Sequence, residues 1–212
     1  MELETIQTEV AKKLLEIGII KIQPDTPFTW ASGWKSPIYC DNRKILSYPE
    51  TRKFICNKFV ELVSKKYPEA GVVAGVATGA IAHGVLVADK LELPFVYVRS
   101  SPKGHGLENM IEGDLKPGQK VIIIEDLVST GISSLKAVEA VNTFGGEVIG
   151  MAAIFSYNFQ KAKENFTKAK IELTTLSHYQ VLIELALEMG KISQKQVDSL
   201  MKWRIDPENW GR

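Results

Sequence analysis

Apolar residues fall at Ile6, Val10, Leu14 and Ile17, the three-to-four spacing of one helix face, and Gly18 closes the run. That spacing predicts a first amphipathic helix. Residues 24 to 43, PDTPFTWASGWKSPIYCDNR, lose the helical period and gain turn formers, aromatics and hydroxyls, so loop and short strands are expected there. Ser47, Pro49 and Glu50 have the pattern of a capping box, opening a second helix whose apolar positions continue through Phe54, Phe59 and Leu62.

From Gly71 the pattern becomes regular. GVVAGVA predicts a buried strand, TGAIAHGVLVADKL a turn and helix, FVYVRS a strand and VIIIED another. A helix from about Ser133 to Phe144 follows, stopped by Gly145 and Gly146, and VIGMAAIF supplies one more strand. Strand and helix alternating in this way imply an α/β fold with a mainly parallel sheet flanked by helices, in which ligands bind at the carboxyl ends of the strands. The tail adds helices around 179 to 189 and after Ser193, which has Gln196 in capping-box position. Between the strands at 95 and 121 lies SSPKGHGLENMIEGDLKPGQK, a polar segment with four glycines. A loop of that length in a compact domain reads as an active-site lid.

Composition narrows the function classes. A chain of 212 residues suits a single domain over 1–212, and 45% hydrophobic with 24% charged residues is ordinary for a globular protein. Lys and Arg number 26 against 25 for Asp and Glu, so no overall field recruits nucleic acid or an anionic membrane. Any anion site must be built locally. Cys40 and Cys56 form no CxxC pair and lack a His-rich neighbourhood, so they read as buried or idle thiols in a reducing compartment. No apolar run approaches the roughly 18 residues of a membrane helix, and MELETIQTEVAKKLLEIG lacks the apolar core of a signal peptide. The cytoplasm is the expected location.

The chemistry concentrates in VIIIEDLVSTG, residues 121 to 131, where the most strand-like run leads into Glu125 and Asp126. The pair falls where a parallel strand is expected to meet its loop, and Ser129, Thr130 and Gly131 lead to a helix N-terminus. Backbone N–H groups and a helix dipole there suit a phosphate, while the carboxylates suit sugar hydroxyls or a Mg²⁺ held through water. A sugar phosphate satisfies both. The same residues also serve as a plain strand end followed by a helix N-cap, and neither a GK[ST] P-loop nor a GxGxxG turn is present.

VIIIEDLVSTG resembles the phosphoribosyl pyrophosphate (PRPP) motif of type I phosphoribosyltransferases. FTWASGWKSPIYCDNR resembles the substrate hood of the orotate phosphoribosyltransferases, GVATGAIAHG their pyrophosphate-side loop and VRSSPKGHG their mobile catalytic loop. The four stretches keep the family's order. The resemblance implies that fold, with an N-terminal helix and hood over about 1–45 and an α/β core with C-terminal helices over about 46–212. It also implies Mg²⁺-dependent transfer of ribose 5-phosphate from PRPP to orotate.

By the same resemblance, Glu125 and Asp126 face the ribose hydroxyls and stabilise charge on the sugar ring. Leu127, Val128, Ser129, Thr130, Gly131, Ile132 and Ser133 hold the 5-phosphate, and Ser129 also touches orotate. Arg99, Lys103 and His105 match the family's cationic loop, and loop 99–118 is expected to reach a neighbouring subunit's site in a homodimer. No nucleic acid or membrane partner is implied, and no residue ligates the metal directly, since PRPP and water would hold it. Phe28, Trp30, Trp34 and Tyr39 either line a flat-ring site or pack the lobe, while His83 and His178 read as packing or helix-surface residues. Many relatives have lysines where Ala31 and Gly79 stand, a base where Ser100 stands and an orotate arginine near Ser156. Lys35 and Arg43, with Tyr39, are the candidates left for orotate. A PRPP-binding regulatory protein and a transferase for another base are the alternatives.

Overall fold

The computed structural model describes residues 3–30, 33–101 and 110–210. Helix α1, Leu3–Glu16, follows the apolar spacing, and its inner face (Val10, Ala11, Leu14) is fully buried. It lies against the edge strand of the main sheet and the helix Tyr179–Glu188. Residues 20 to 40 form two small antiparallel ribbons: β1, Ile20–Ile22, pairs with β4, Ile38–Cys40, and β2, Phe28–Thr29, pairs with β3, Lys35–Ser36. A 3₁₀ turn, Asn42–Ser47, leads to helix α2, Pro49–Lys66.

The core is a six-stranded sheet built from β5 (Val72–Val76), β6 (Phe95–Val98), β7 (Ile111–Glu112), β8 (Lys120–Val128), β9 (Glu147–Ser156) and β10 (Leu173–His178). Their spatial order is β10-β9-β8-β5-β6-β7, and every neighbouring pair is parallel except β6 with β7. Helices α3 (Ile81–Leu91), α4 (Ile132–Phe144), α5 (Gln160–Ala169), α6 (Tyr179–Glu188) and α7 (Gln194–Ile205) complete the order. A parallel sheet is covered on both faces, which is why β8 reads as a continuous apolar run rather than an alternating one. Val121, Ile122, Ile123 and Ile124 are all fully buried, and burying each such side chain stabilises by about 1.5–3 kcal/mol.

Local details depart from the sequence reading in three places. The capping box expected at Ser47 does not form: the 3₁₀ turn continues through Ser47, the N-cap falls on Tyr48 without a side-chain cap, and Pro49 starts the helix. The box at Ser193 does form, with Gln196 N–H donating to Ser193 Oγ and Ser193 N–H donating to Gln196 Oε1. Strand β8 does not end at the acid pair but runs on to Val128, because β9 continues beside it with Glu125 opposite Ala153 and Val128 opposite Ser156. Helix α5 and strand β10, with the two-residue strand β7 inside the segment read as a loop, are additions that the sequence pattern did not reveal. In α5 the inward residues are Ala162 and Phe166, too few to stand out, and β10 is a half-exposed edge strand.

The two cysteines, Cys40 and Cys56, are free and buried, as expected. Among the described residues no helix is long and apolar enough to cross a membrane.

Candidate active site

Neighbours on a strand point to opposite faces, so Glu125 and Asp126 cannot play the same part. Glu125 is 5% exposed. Its Oε2 accepts a hydrogen bond from Ser134 Oγ at 2.8 Å, from the first turn of α4, and its Oε1 accepts from the Asp126 N–H at 3.0 Å. Burial, reinforced by the nearby Asp126 charge, pushes the Glu125 pKa well above the usual carboxylate range. Asp126 is only partly buried and lies on the side of the turn that follows β5.

A Cβ placed on Gly79 would collide with the Asp126 carboxylate, so the carboxylate rests directly over glycine backbone in that turn. With β5 ending at Val76 and its register with β8 ending at Ile124, the space beside Asp126 is open to this turn.

The turn after β8 exposes the start of α4. Gly131 sits at φ +79 as the N-cap of α4 and supplies no side-chain cap, which leaves the leading N–H groups of the helix without a protein side-chain partner there. A side chain at Gly131 would also meet the Phe166 ring at 2.6 Å. Asn165 Nδ2 donates to the Thr130 carbonyl at 2.9 Å and fixes the turn from α5. Val128 is fully buried and its carbonyl accepts from Tyr157 N–H at 3.1 Å, whereas Ile132 is 55% exposed and Ser133 is exposed beside it. Leu127, Ser129 and Thr130 are half-buried along the same rim.

The remaining expected site residues are dispersed. Arg99 lies just past β6 and its guanidinium pairs with Glu112 of β7 at 3.1 Å, a partner the sequence did not suggest. Lys103 and His105 lie outside the described residues. Lys35 is exposed and donates to Thr29 Oγ1 at 2.9 Å, while Tyr39, 37% exposed, leans on Phe28 at a ring distance of 5.6 Å. Arg43 is bound to Asp41 at 2.7 Å, so its charge is already compensated within the hood; that pairing holds the Asp41 carboxyl below its usual range. Trp30 belongs to packing, since its ring meets Tyr157 and Trp203 and its Nε1 donates to the Ile38 carbonyl. A cleft of about 430 Å³ separates hood residue Trp34 from Thr130 and Ile132 of the turn and is closed by Phe159 and Arg204. His83 is buried, and burial lowers the pKa of both His83 and His178.

Among the described residues no cluster of three or more His, Cys, Asp or Glu side chains could hold a metal. Glu125 is engaged by Ser134 and by backbone, so Asp126 is the more accessible carboxylate of the pair. That donor set does not hold Mg²⁺ by itself. It fits an ion that keeps waters and takes most of its oxygens from a phosphorylated substrate.

Glu125→Gln is expected to stabilise the fold while weakening the site. Because its folded-state pKa is raised, the folded protein holds the Glu125 proton more tightly than the unfolded chain does. The contribution favours folding below the unfolded pKa and is lost as pH climbs through the folded one. At neutral pH the substitution should therefore raise Tm by a few degrees, since on the order of 1 kcal/mol moves Tm by about 2–4 °C at this size. The gain should shrink as pH falls. Thermal melts of both proteins from pH 4 to 8 check this, and a Tm gap that does not narrow toward low pH would contradict it.

The chain matches the family model described as phosphoribosyl transferase domain over residues 51–183. It is 56% identical over 209 residues to the orotate phosphoribosyltransferase of Porphyromonas gingivalis, covering 99% of this chain and 100% of that protein. The structure of orotate phosphoribosyltransferase from Aeropyrum pernix superposes with a TM-score of 0.75 at 25% identity, covering 87% of this chain and 99% of that one. The Mycobacterium tuberculosis enzyme in complex with 5-phospho-α-D-ribosyl 1-diphosphate shares the fold, with a TM-score of 0.64 at 24% identity over 84% of this chain and 98% of that one.

Proposed function

The chain belongs to the phosphoribosyltransferase family, among its orotate phosphoribosyltransferases, enzymes that are pentosyltransferases of pyrimidine biosynthesis; from that membership we propose the reaction in detail. The enzyme transfers ribose 5-phosphate from PRPP to N1 of orotate and releases orotidine 5′-monophosphate and pyrophosphate. The bond from C1 of the sugar to the pyrophosphate oxygen breaks, and the bond from C1 to N1 forms as N1 gives up its proton. One observation carries this reading: within ten residues, Glu125 to Ser134, the chain presents a buried acid, an open acid and a helix N-terminus with no side-chain cap.

Each feature answers one demand of the reaction. The 5-phosphate takes the N–H groups of the turn from Val128 to Ser133 and the dipole of α4. The ribose hydroxyls take Asp126, whose negative charge also favours the positive charge that gathers at C1 as pyrophosphate departs. Glu125, held by Ser134, anchors the strand beneath. Asp126 would be the carboxylate nearest a Mg²⁺ carried in by PRPP, and such an ion would supply neutralisation of the leaving pyrophosphate. Arg99 would exchange Glu112 for that pyrophosphate, and Lys103 and His105 would join it from the loop. Loop closure also excludes the water that would otherwise hydrolyse PRPP. The flat base would enter beneath the hood between Tyr39, Lys35 and Ser129. A second subunit sharing loop 99–118 and a cytoplasmic setting, which suits two free thiols, complete the proposal.

The decisive assay follows orotate by ultraviolet absorbance on mixing with enzyme, PRPP and Mg²⁺, beside parallel reactions with uracil, adenine, guanine and hypoxanthine. Orotate alone should be converted, and chelation of Mg²⁺ should stop the conversion. Turnover of another base instead would reassign the substrate. PRPP binding with no turnover of any base would make the chain a regulatory PRPP binder.

A further inference from the structure

Asn42 is 1% exposed, and each polar group of its side chain is committed. Its Nδ2 donates to the backbone carbonyl of Asp126 at 2.6 Å, across 84 positions of sequence. Its Oδ1 accepts from Cys40 Sγ at 3.2 Å. Burial raises the Cys40 pKa well above its ordinary value, so the sulfur remains a thiol and keeps the proton it donates. That settles the amide's orientation: the oxygen faces the thiol and the NH₂ faces Asp126. His83 on α3 is buried nearby: burial lowers its pKa, and the Asp126 charge and the Asn42 backbone partly offset that.

The position of this hub matters as much as its bonds. Strand β8 pairs with β5 only as far as Ile124, and beyond it the ladder is with β9. At Asp126 the amide of Asn42 supplies a hydrogen bond that no strand supplies. Asn42 also lies two residues past Cys40, the end of β4, the hood strand that carries Tyr39, and opens the 3₁₀ turn. A shift of the hood therefore reaches the carbonyl of Asp126 through one side chain.

We infer that Asn42, anchored by Cys40, is a positioning residue that holds Asp126 in its working pose and ties it to the base-binding hood. This rests on the proposed transfer of ribose 5-phosphate to orotate. Asn42 touches no reacting atom; it acts through Asp126. Its loss should then lower the rate of transfer more than the affinity for either substrate, because a carboxylate displaced by about 1 Å costs roughly 10²-fold in rate. A residue that merely supports the fold would instead lower Tm without separating kcat from KM.

Asn42→Asp is the sharpest variant. It keeps the volume and the acceptor for Cys40, removes the donor and turns an acceptor toward the Asp126 carbonyl. Assayed at least about 15 °C below its own Tm, to keep the folded fraction near one, it should lose roughly 10- to 100-fold in kcat, with KM for orotate and PRPP within about threefold of the parent. A kcat within twofold of the parent, or a raised KM with unchanged kcat, would overturn the inference. Should Asn42→Asp fail to fold, a second pair decides: Cys40→Ser retains a donor toward Asn42 Oδ1 and should keep most of the activity that Cys40→Ala loses. Equal kcat in those two would overturn it equally. A parent that converts no orotate would sink the functional reading and this one with it. An active parent with equally active variants would sink this one alone.

Discussion

Asp126→Asn should lower kcat by about 10²- to 10³-fold while the protein still binds the 5-phosphate of PRPP. The substitution is isosteric, so the crowding against Gly79 is unchanged, and the backbone bond from Asn42 is retained. What is removed is a fixed negative charge beside the carbon where positive charge develops, and preorganised groups of this kind are worth about 2.7–4 kcal/mol each in comparable sites. The phosphate turn draws on backbone N–H groups of another segment, stabilised by Asn165 and Phe166, which the change does not touch. Steady-state kinetics together with calorimetric titration of PRPP separate the two effects. Unchanged kcat would remove the carboxylate from the chemistry, and abolished PRPP binding would place it in ground-state recognition instead.

Lys103→Ala should have an effect of the same order or larger, a fall in kcat of at least about 10²-fold, with Tm unchanged. Lys103 belongs to SSPKGHG, a polar stretch between β6 and β7 whose composition contributes little to a core. The fold should therefore tolerate its loss. The chemistry should not, because leaving pyrophosphate gathers negative charge that a cation arriving with the loop stabilises. Arg99 cannot simply substitute, being set on the strand side and paired with Glu112. Single-turnover kinetics would show whether the loss falls on the chemical step. Turnover near that of the parent would remove Lys103 from the mechanism.

The site was legible in the sequence wherever its parts are contiguous. VIIIEDLVSTG announced a strand, two acids, a turn and a helix start in eleven residues, and the structure has that order, with the strand three residues longer than read. Its extension followed from β9, a partner whose length no local pattern in β8 records. The unequal fates of Glu125 and Asp126 were likewise hidden. Alternation along a strand separates the two side chains, but only the arrival of α4 and the turn at Gly79 decides which one is buried. Arg43 illustrates a contact hidden from the sequence: offered there as an orotate candidate, it is paired in the structure with Asp41, two positions away.

The sequence by itself determined the α/β class, the succession along the chain of β5, β6, β8 and β9, and the segment in which two acids run into a helix start. Each of these rests on short-range information: apolar periodicity, glycine stops, and acids beside a helix start. Only the tertiary structure decided what surrounds that segment. It placed Gly79 under Asp126, Asn42 against the Asp126 carbonyl, Glu112 on Arg99 and Ser134 on Glu125. The reason is physical: burial, desolvation and hydrogen-bond geometry at a point depend on every chain segment that reaches it. Asn42 and Asp126, 84 positions apart, become neighbours only when the hood folds onto the end of the sheet.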